Sequence, residues 1–207
     1  MNFLDESMKV KLREVFQVLD KPISLVLFED FPDCEYCSDT LELLTDLSKL
    51  TPSIHLVHYD IKVETDNKRK YGAYLTPFIS VAKGAVEEPV DVGVHFVGIP
   101  VGHEFSALIS SILMVSKGKT NLSPETQDFL RNLDHPIDLQ VFSTPTCPYC
   151  PRAISLAHQM ALESSLVTAT AIEALEFPDL AQQYNVSGVP HTAVNFGAGH
   201  ILGAIPE

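Results

Sequence analysis

The pattern of apolar positions in the first half of the chain switches repeatedly between helical spacing and continuous runs. Leu12, Phe16 and Leu19 recur every three to four residues in segment 4–19, which predicts an amphipathic helix. Segment 23–28 is almost entirely apolar and predicts a buried strand. The alternation continues with a helix after residue 37, a strand over 54–59, a short helix over 64–71, strands over 74–81 and 92–97, and a helix over 104–117. Strands that alternate with helices in this way predict an α/β fold.

The second half of the chain repeats this order. Ser123 followed by Pro124 indicates the N-cap and the first position of a helix. A strand over 137–142, a helix over 153–164, a strand over 166–172, a short helix over 178–184 and a strand over 192–196 come next. The repeat predicts two tandem units, residues 1–118 (unit 1) and residues 119–207 (unit 2), each with a mixed central sheet flanked by helices.

Cysteine and proline positions show the repeat most directly. Pro77 follows Cys34 by 43 positions, and Pro190 follows Cys147 by the same 43 positions. Each proline opens an apolar segment, where its missing N–H is tolerated at the end or edge of a strand. The two units therefore carry equivalent landmarks.

All four cysteines fall into two Cys-x-x-Cys pairs, Cys34 with Cys37 and Cys147 with Cys150. Each pair follows a predicted strand and precedes a predicted helix, which is the arrangement of a reactive dithiol. Free N–H groups and the helix dipole at a helix start favour a thiolate. We therefore expect the first cysteine of each pair to attack a disulfide and the second to resolve the mixed disulfide.

Composition and charge narrow the class of protein. Apolar residues make up 45% of the chain and charged residues 20%, as in ordinary globular proteins. The net charge of −13 argues against a surface that binds nucleic acid or anionic membrane. The N-terminal segment has no apolar signal core, and no segment has the roughly 20 apolar residues of a membrane span. We expect a cytoplasmic protein that binds neither nucleic acid nor membrane.

A family resemblance rests on these residues. A strand, a Cys-x-x-Cys helix and a strand-opening proline 43 positions later resemble the thioredoxin-like unit, and segment 141–150 resembles glutaredoxin in particular. Two such units in tandem resemble the prokaryotic glutaredoxin-like protein disulfide oxidoreductases. The resemblance implies thiol–disulfide exchange on protein substrates, with electrons from a thioredoxin-reductase-type donor.

The resemblance also implies a client-binding site beside each dithiol. It implies that Pro77 and Pro190 are cis and face the cysteines. Since neither proline can donate a backbone hydrogen bond, we expect Thr76 and Val189 to pair with the extended backbone of a client.

Three features depart from the related branches. No Trp precedes either pair, and the apolar Phe28 and Val141 stand where thioredoxin has a buried carboxylate. No Gly-Gly-x-Asp segment follows Pro190, so we do not expect glutathione as a dedicated cofactor. The redox-active disulfides themselves are the only prosthetic chemistry that we expect.

Two alternative functions stay open at this point. The chain could be a dedicated electron-transfer module for a peroxiredoxin-type partner, although the intact second pair favours a broader oxidoreductase. It could also be a zinc-binding interaction protein. Zinc modules usually bring their cysteine pairs within about 15–20 residues, whereas Cys37 and Cys147 are 110 positions apart. We therefore expect redox chemistry and no metal site.

The sequence predicts that the two sites are unequal. Five acids surround the first pair: Glu29, Asp30, Asp33, Glu35 and Asp39. Cys147 has no nearby acid in sequence and is followed by Arg152. Because negative charge opposes a thiolate, we expect Cys147 to ionise more readily and unit 2 to be the more oxidising pair. We also expect His191, next to Pro190, to lie on an exposed strand without a role.

Unit 2 is shorter than unit 1 at its end. An apolar stripe in segment 104–117 predicts a final helix for unit 1, whereas Ile205, Pro206 and Glu207 are reached with no helical segment after them. In a thioredoxin-like unit, that helix covers one face of the sheet. We expect unit 2 to lack this helix and to leave an apolar face through which the chain could self-associate.

Overall fold

The computed structural model describes residues 3–207, so the first two residues of the predicted unit 1 lie outside the described part. The first half contains α1 (Glu6–Val15), β1 (Ile23–Glu29), α2 (Cys37–Ser48), β2 (Ile54–Asp60), α3 (Thr65–Tyr71), β3 (Phe78–Lys83), β4 (Val94–Val97) and α4 (His103–Lys117). The second half contains α5 (Pro124–Arg131), β5 (Ile137–Ser143), α6 (Cys150–Glu163), β6 (Val167–Glu173), α7 (Pro178–Gln183), β7 (His191–Val194) and β8 (Gly199–Leu202).

Local sequence explains where several helices begin and end. Asp5 accepts a hydrogen bond from the backbone N–H of Met8 at 2.7 Å and caps α1. The helix predicted over 4–19 ends earlier, at Val15, and continues as a 3-10 turn. Ser123 caps α5 as predicted, with Pro124 at its first position. Gly118 ends α4 in the left-handed conformation that glycine adopts without steric cost.

All eight strands form one continuous sheet in the order β2-β1-β3-β4-β6-β5-β7-β8. Within each half, a parallel pair and an antiparallel pair surround the strand that precedes the cysteines. The two halves join where β4 pairs in parallel with β6, from Val94 opposite Ala169 to Val97 opposite Ile172. The mixed central sheet is therefore confirmed, and it is shared by the two predicted units.

Gly93 makes this junction possible. Its backbone has φ of 71°, and a Cβ there would lie 2.6 Å from the carbonyl oxygen of Val167. The carbonyl of Gly93 accepts a hydrogen bond from Ala169 at 2.8 Å. Any side chain at this position would push the β4 and β6 strands apart.

Helices cover both faces of the sheet. On one face, α4 packs against α6, and His158 of α6 lies between them with no exposed surface. Its Nδ1 lies 2.8 Å from the Ser111 hydroxyl and its Nε2 lies 3.2 Å from the His95 carbonyl. Burial lowers the pKa of His158 to about 3, which favours the neutral ring in the folded protein. The short helices α3 and α7 lie on the opposite face, over a second core cluster.

The end of unit 2 has the predicted shape. Within residues 3–207, no helix follows β8, whereas α4 follows β4 in the first half. An apolar cavity of about 200 Å³ lies between β5, α6 and β8, beside the final segment. Its apolar lining includes Leu139, Leu156, Met160, Ile201 and Ile205. The face that α4 covers in the first half is thus only partly covered in the second.

Among residues 3–207, none of the helices combines the length and the apolar character that crossing a bilayer requires.

Candidate active site

The second cysteine pair lies in the turn between β5 and α6. Cys147 and Cys150 are joined by a disulfide, with their Cα atoms 5.5 Å apart. The helix begins at Cys150, so Cys147 lies in the turn before it rather than at its first residue. The backbone N–H of Cys150 donates to the Cys147 sulfur at 3.1 Å, and that of Cys147 donates to the Thr144 carbonyl at 3.1 Å. The Cys150 N–H is thus aimed at the atom that would carry the thiolate charge.

The first pair has the same geometry. Cys34 and Cys37 form a disulfide with Cα atoms 5.5 Å apart, and α2 begins at Cys37. The N–H of Cys34 donates to the Asp30 carbonyl at 2.9 Å. Both second cysteines have no exposed surface, whereas Cys34 is half-buried and Cys147 is 7% exposed. In each pair, the sulfur of the first cysteine is thus the more accessible to a partner.

The prolines lie where the resemblance implies. The Thr76–Pro77 and Val189–Pro190 peptide bonds are both cis, and each precedes the strand next to β1 or β5. Pro77 and Pro190 are buried, while Thr76 and Val189 are half-buried at the surface. A third cis peptide bond precedes Pro32, which the sequence analysis did not predict.

Lys62 changes the charge around the first pair. Its Nζ lies 2.6 Å from Asp30 and 2.7 Å from Asp33, the two acids closest before Cys34 in sequence. These contacts raise the pKa of Lys62 and keep it protonated. The sequence analysis counted the acids around this site but missed the lysine, because it comes from the loop after β2. Lys62 offsets part of the negative charge that opposes a thiolate at Cys34.

Three carboxyl groups meet where the two halves join. Glu104, at the start of α4, accepts a hydrogen bond from the hydroxyl of Ser143, the last residue of β5. Glu176 accepts from the Ile99 N–H at 2.8 Å, and Glu173 accepts from the Glu176 N–H at 2.6 Å. One oxygen each of Glu173 and Glu176 is buried without a hydrogen-bond partner. The cluster (Glu104, Glu173 and Glu176) therefore holds more acceptors than the protein satisfies.

Burial gives this cluster unusual protonation. Glu104 is only 3% exposed, and burial raises its pKa to about 8, with Glu173 and Glu176 raising it further. Burial also raises the pKa of Glu176 to about 7. Such groups can gain and lose protons near neutral pH, as acids and bases at active sites do.

The cluster lies close to both redox turns. The His103 N–H, next to Glu104, donates to the Pro145 carbonyl of the second turn at 2.8 Å. Glu35 raises the pKa of Tyr36, between the first two cysteines, and Glu176 and Glu173 also contribute to that rise.

Sequence reasoning did not identify the acidic cluster. The available signal was an acid at the head of the apolar stripe of α4, since Glu104, Leu108, Ile112 and Val115 share one buried face. Glu173 and Glu176 gave no comparable signal, because they join the cluster only through the pairing of β4 with β6.

The expectation that His191 is exposed was wrong. His191 is 3% exposed, and its Nε2 lies 2.8 Å from the Nδ1 of His200 on the neighbouring strand. Its ring packs edge-on against Phe142 with the ring centres 6.3 Å apart. Residue 191 follows the buried Pro190 at the start of β7, and this placement turns its side chain into the core cluster below α7. Within residues 3–207, no group of three or more His, Cys, Asp or Glu side chains is placed to hold a metal ion.

Comparisons with known proteins agree with this geometry. The thioredoxin domain family matches residues 137–207. A protein disulfide oxidoreductase from Aeropyrum pernix superposes with a TM-score of 0.85 at 28% identity, over 93% of this chain and 84% of that chain. The NTD_N/C domain of alkyl hydroperoxide reductase AhpF from Enterococcus faecalis superposes with a TM-score of 0.89 at 25% identity, over 98% of this chain and 95% of that chain.

A curated relative is similar over the same range. The AhpF component of the alkyl hydroperoxide reductase of Pseudomonas aeruginosa is 25% identical over 201 residues, which are 96% of this chain and 35% of that protein. The chain thus spans about a third of the length of the curated relatives it matches. Taken with the repeated order of elements and the two disulfides, these similarities show that the chain is a tandem thioredoxin-fold disulfide oxidoreductase with two Cys-x-x-Cys pairs.

Proposed function

We propose that the chain exchanges disulfides with other proteins in the cytoplasm, using one dithiol in each of the units 1–118 and 119–207. The observation that carries this proposal is the repeated redox turn, in which the more accessible sulfur belongs to the first cysteine. In reduced protein, the thiolate of Cys147 or Cys34 attacks a client disulfide and forms a mixed disulfide. Cys150 or Cys37 then attacks that bond, closes its own disulfide and releases the reduced client.

The client is held beside the prolines in this proposal. Pro77 and Pro190 expose no N–H, and the half-buried Thr76 and Val189 before them offer backbone groups to an extended client segment. A thioredoxin-reductase-type flavoprotein restores the dithiols. No further cofactor takes part, and glutathione is not a dedicated one, since the segment after Pro190 lacks the sequence that holds glutathione in glutaredoxins.

Reduction of insulin by reduced protein tests the proposal. Three variants are compared: Cys34→Ser with Cys37→Ser, Cys147→Ser with Cys150→Ser, and all four changes together. We expect each two-cysteine variant to reduce insulin and the four-cysteine variant to be inactive. Insulin reduction that persists without any of the four cysteines would refute the assignment.

A second candidate is an electron-transfer module that serves one peroxiredoxin. The similarity to the AhpF component of alkyl hydroperoxide reductase favours it, since that protein matches over nearly this whole chain. A dedicated module should reduce its peroxiredoxin much faster than insulin. Stopped-flow reduction of an oxidised peroxiredoxin and of insulin by the same reduced protein separates the two candidates.

Self-association through the end of unit 2 is part of the proposal. The apolar cavity beside Ile201 and Ile205 is partly open, and Leu202 and Ile205 are 64% and 47% exposed. Exposed apolar patches of this kind promote association. Sedimentation over a range of protein concentrations tests it, and a monomer at every concentration would refute it.

A further inference from the structure

Two surface cavities lie beside the two redox sites. Groove 1 has a volume of about 500 Å³ and is lined by residues that include Asp30, Ile61, Lys62, Lys68, Leu75 and Thr76. Groove 2 has a volume of about 640 Å³ and is lined by residues that include Thr144, Ala174, Leu175, Ala181, Gly188 and Val189. Each groove reaches the residue before the proline of its own unit, so each continues the surface where a client would lie.

The grooves are copies of one another in the repeat. Cys147 follows Cys34 by 113 positions. The same offset relates the groove positions in four pairs: Ile61 to Ala174, Lys62 to Leu175, Lys68 to Ala181 and Thr76 to Val189. The two cavities therefore arise from the same elements, and they differ in the side chains at matched positions.

Charge is the main difference between them. In groove 1, Lys62 is fixed by Asp30 and Asp33, and Lys68 is half-buried with no salt bridge to any residue in 3–207. In groove 2, the matched positions carry Leu175 and Ala181, and no charged residue lines the cavity. Leu175 is 71% exposed, so it has apolar surface left to bury.

The physical consequence is a difference in the segments that each groove can accept. An apolar client segment in groove 2 would remove the exposed surface of Leu175 from water without desolvating a charge. The same segment in groove 1 would desolvate Lys68 and compete with water for the Lys62 ion pairs, both of which are unfavourable. The grooves lie next to the dithiols, so this difference changes the rate of attack on a client disulfide.

We propose that groove 2 binds an extended apolar segment beside the client cysteine and that groove 1 discriminates against such segments. The two dithiols then serve chemically different clients. This inference rests on the proposed function, because it names the client class of the second site. In each reaction the dithiol gives two electrons and two protons to the client disulfide, closes its own disulfide and leaves two client thiols.

Two synthetic clients test the proposal. Each is the disulfide-linked dimer of a short peptide with one cysteine, flanked by Leu, Val and Ala in one peptide and by Ser, Asn and Gln in the other. They are mixed with dithiothreitol-reduced protein in which Cys34→Ser and Cys37→Ser, or Cys147→Ser and Cys150→Ser, leave one working site. Single-turnover rates are read as release of peptide thiol.

The groove itself is tested by exchanging matched residues. Leu175→Lys places the unit 1 side chain in groove 2, and Leu175→Gln makes the position polar without adding charge. Lys68→Ala makes the reverse exchange in groove 1. Because Leu175 is exposed, both of its variants should fold, which circular dichroism checks. Reduction of hydroxyethyl disulfide, which is too small to fill the groove, controls for changes in the thiol itself.

We expect the second site to reduce the apolar peptide at least about tenfold faster than the polar one, equivalent to about 1.4 kcal/mol. Leu175→Gln and Leu175→Lys should remove most of that ratio and leave the hydroxyethyl disulfide rate unchanged. The first site should show no such preference, and Lys68→Ala should raise its rate with the apolar peptide.

The opposite results are equally clear. Equal peptide ratios at the two sites, or a ratio that survives both Leu175 variants, would overturn the inference and leave the proposed function intact. Reduction of hydroxyethyl disulfide but of neither peptide by either site would overturn the proposed function together with it.

Discussion

Replacing Glu104 by Gln should change how the stability of the protein depends on pH. The glutamine amide oxygen can still accept the Ser143 hydrogen bond, so the variant keeps the contact and loses only the titration. Glu104 is 3% exposed, and burial raises its pKa from 4.5 to about 8. The unfolded chain should titrate near the ordinary value.

The sign and size follow from proton linkage. Below about pH 4.5, the carboxyl is protonated in both the folded and the unfolded chain. As pH rises toward 8, the unfolded chain loses this proton while the folded protein keeps it, so unfolding becomes easier. One pKa unit corresponds to about 1.4 kcal/mol, and integration from about pH 5 to pH 8 yields a loss of about 3.5 kcal/mol. Glu104→Gln should not show this loss.

Urea unfolding of oxidised protein at several pH values measures the effect. We expect the free energy of unfolding of Glu104→Gln, minus that of the unchanged protein, to rise by about 3.5 kcal/mol from about pH 5 to pH 8. Glu173 and Glu176 are present in both proteins, so their contributions largely cancel. Glu125→Gln is the matched control, because Glu125 also lies in the first turn of a helix but is exposed.

A difference that stays constant across this range would refute the reasoning. It would mean that water or a rearranged neighbour solvates the Glu104 carboxylate in the folded protein. A rise of equal size in Glu125→Gln would show that the effect comes from net charge rather than from burial.

Three further outcomes are expected. Cys150→Ser should trap a mixed disulfide with a client while Cys147→Ser should not, and gel analysis under non-reducing conditions would show the reverse if the roles were exchanged. Alkylation rates against pH should show Cys147 ionising at lower pH than Cys34, and Lys62→Met should delay ionisation of Cys34 further; equal curves would contradict the charge argument. Because burial lowers the pKa of His158 to about 3, the free energy of unfolding should fall by about 2 kcal/mol between about pH 7 and pH 5, and His158→Gln should lack this fall.

The order of elements and the reaction type could be predicted from the chain. Apolar spacing, the Ser123 and Pro124 start of α5 and the repeated 43-residue interval depend on local propensity or on sequence position, which need no knowledge of the packing. The Cys-x-x-Cys turns are likewise local, since two residues separate the thiols that must meet. Errors at this level were confined to boundaries, such as the early end of α1 at Val15.

Tertiary structure decided everything that depends on one unit meeting the other. The pairing of β4 with β6 joins residues more than 70 positions apart, and only that pairing brings Glu173 and Glu176 to Ile99 and into the cluster with Glu104. A carboxylate is expected to be solvent-exposed until its burial is known. Its shifted protonation was therefore outside the reach of sequence patterns.

The surroundings of each dithiol show the same division. The acids before Cys34 are visible in sequence, but Lys62 reaches Asp30 and Asp33 from another loop and reverses part of their effect. Likewise, residue 191 follows a landmark proline, yet only the strand's orientation turns His191 inward toward Phe142 and His200. The sequence by itself determined which residues can react. Packing between distant segments decided their charge and exposure, because Coulomb interaction and desolvation depend on distance in space and not along the chain.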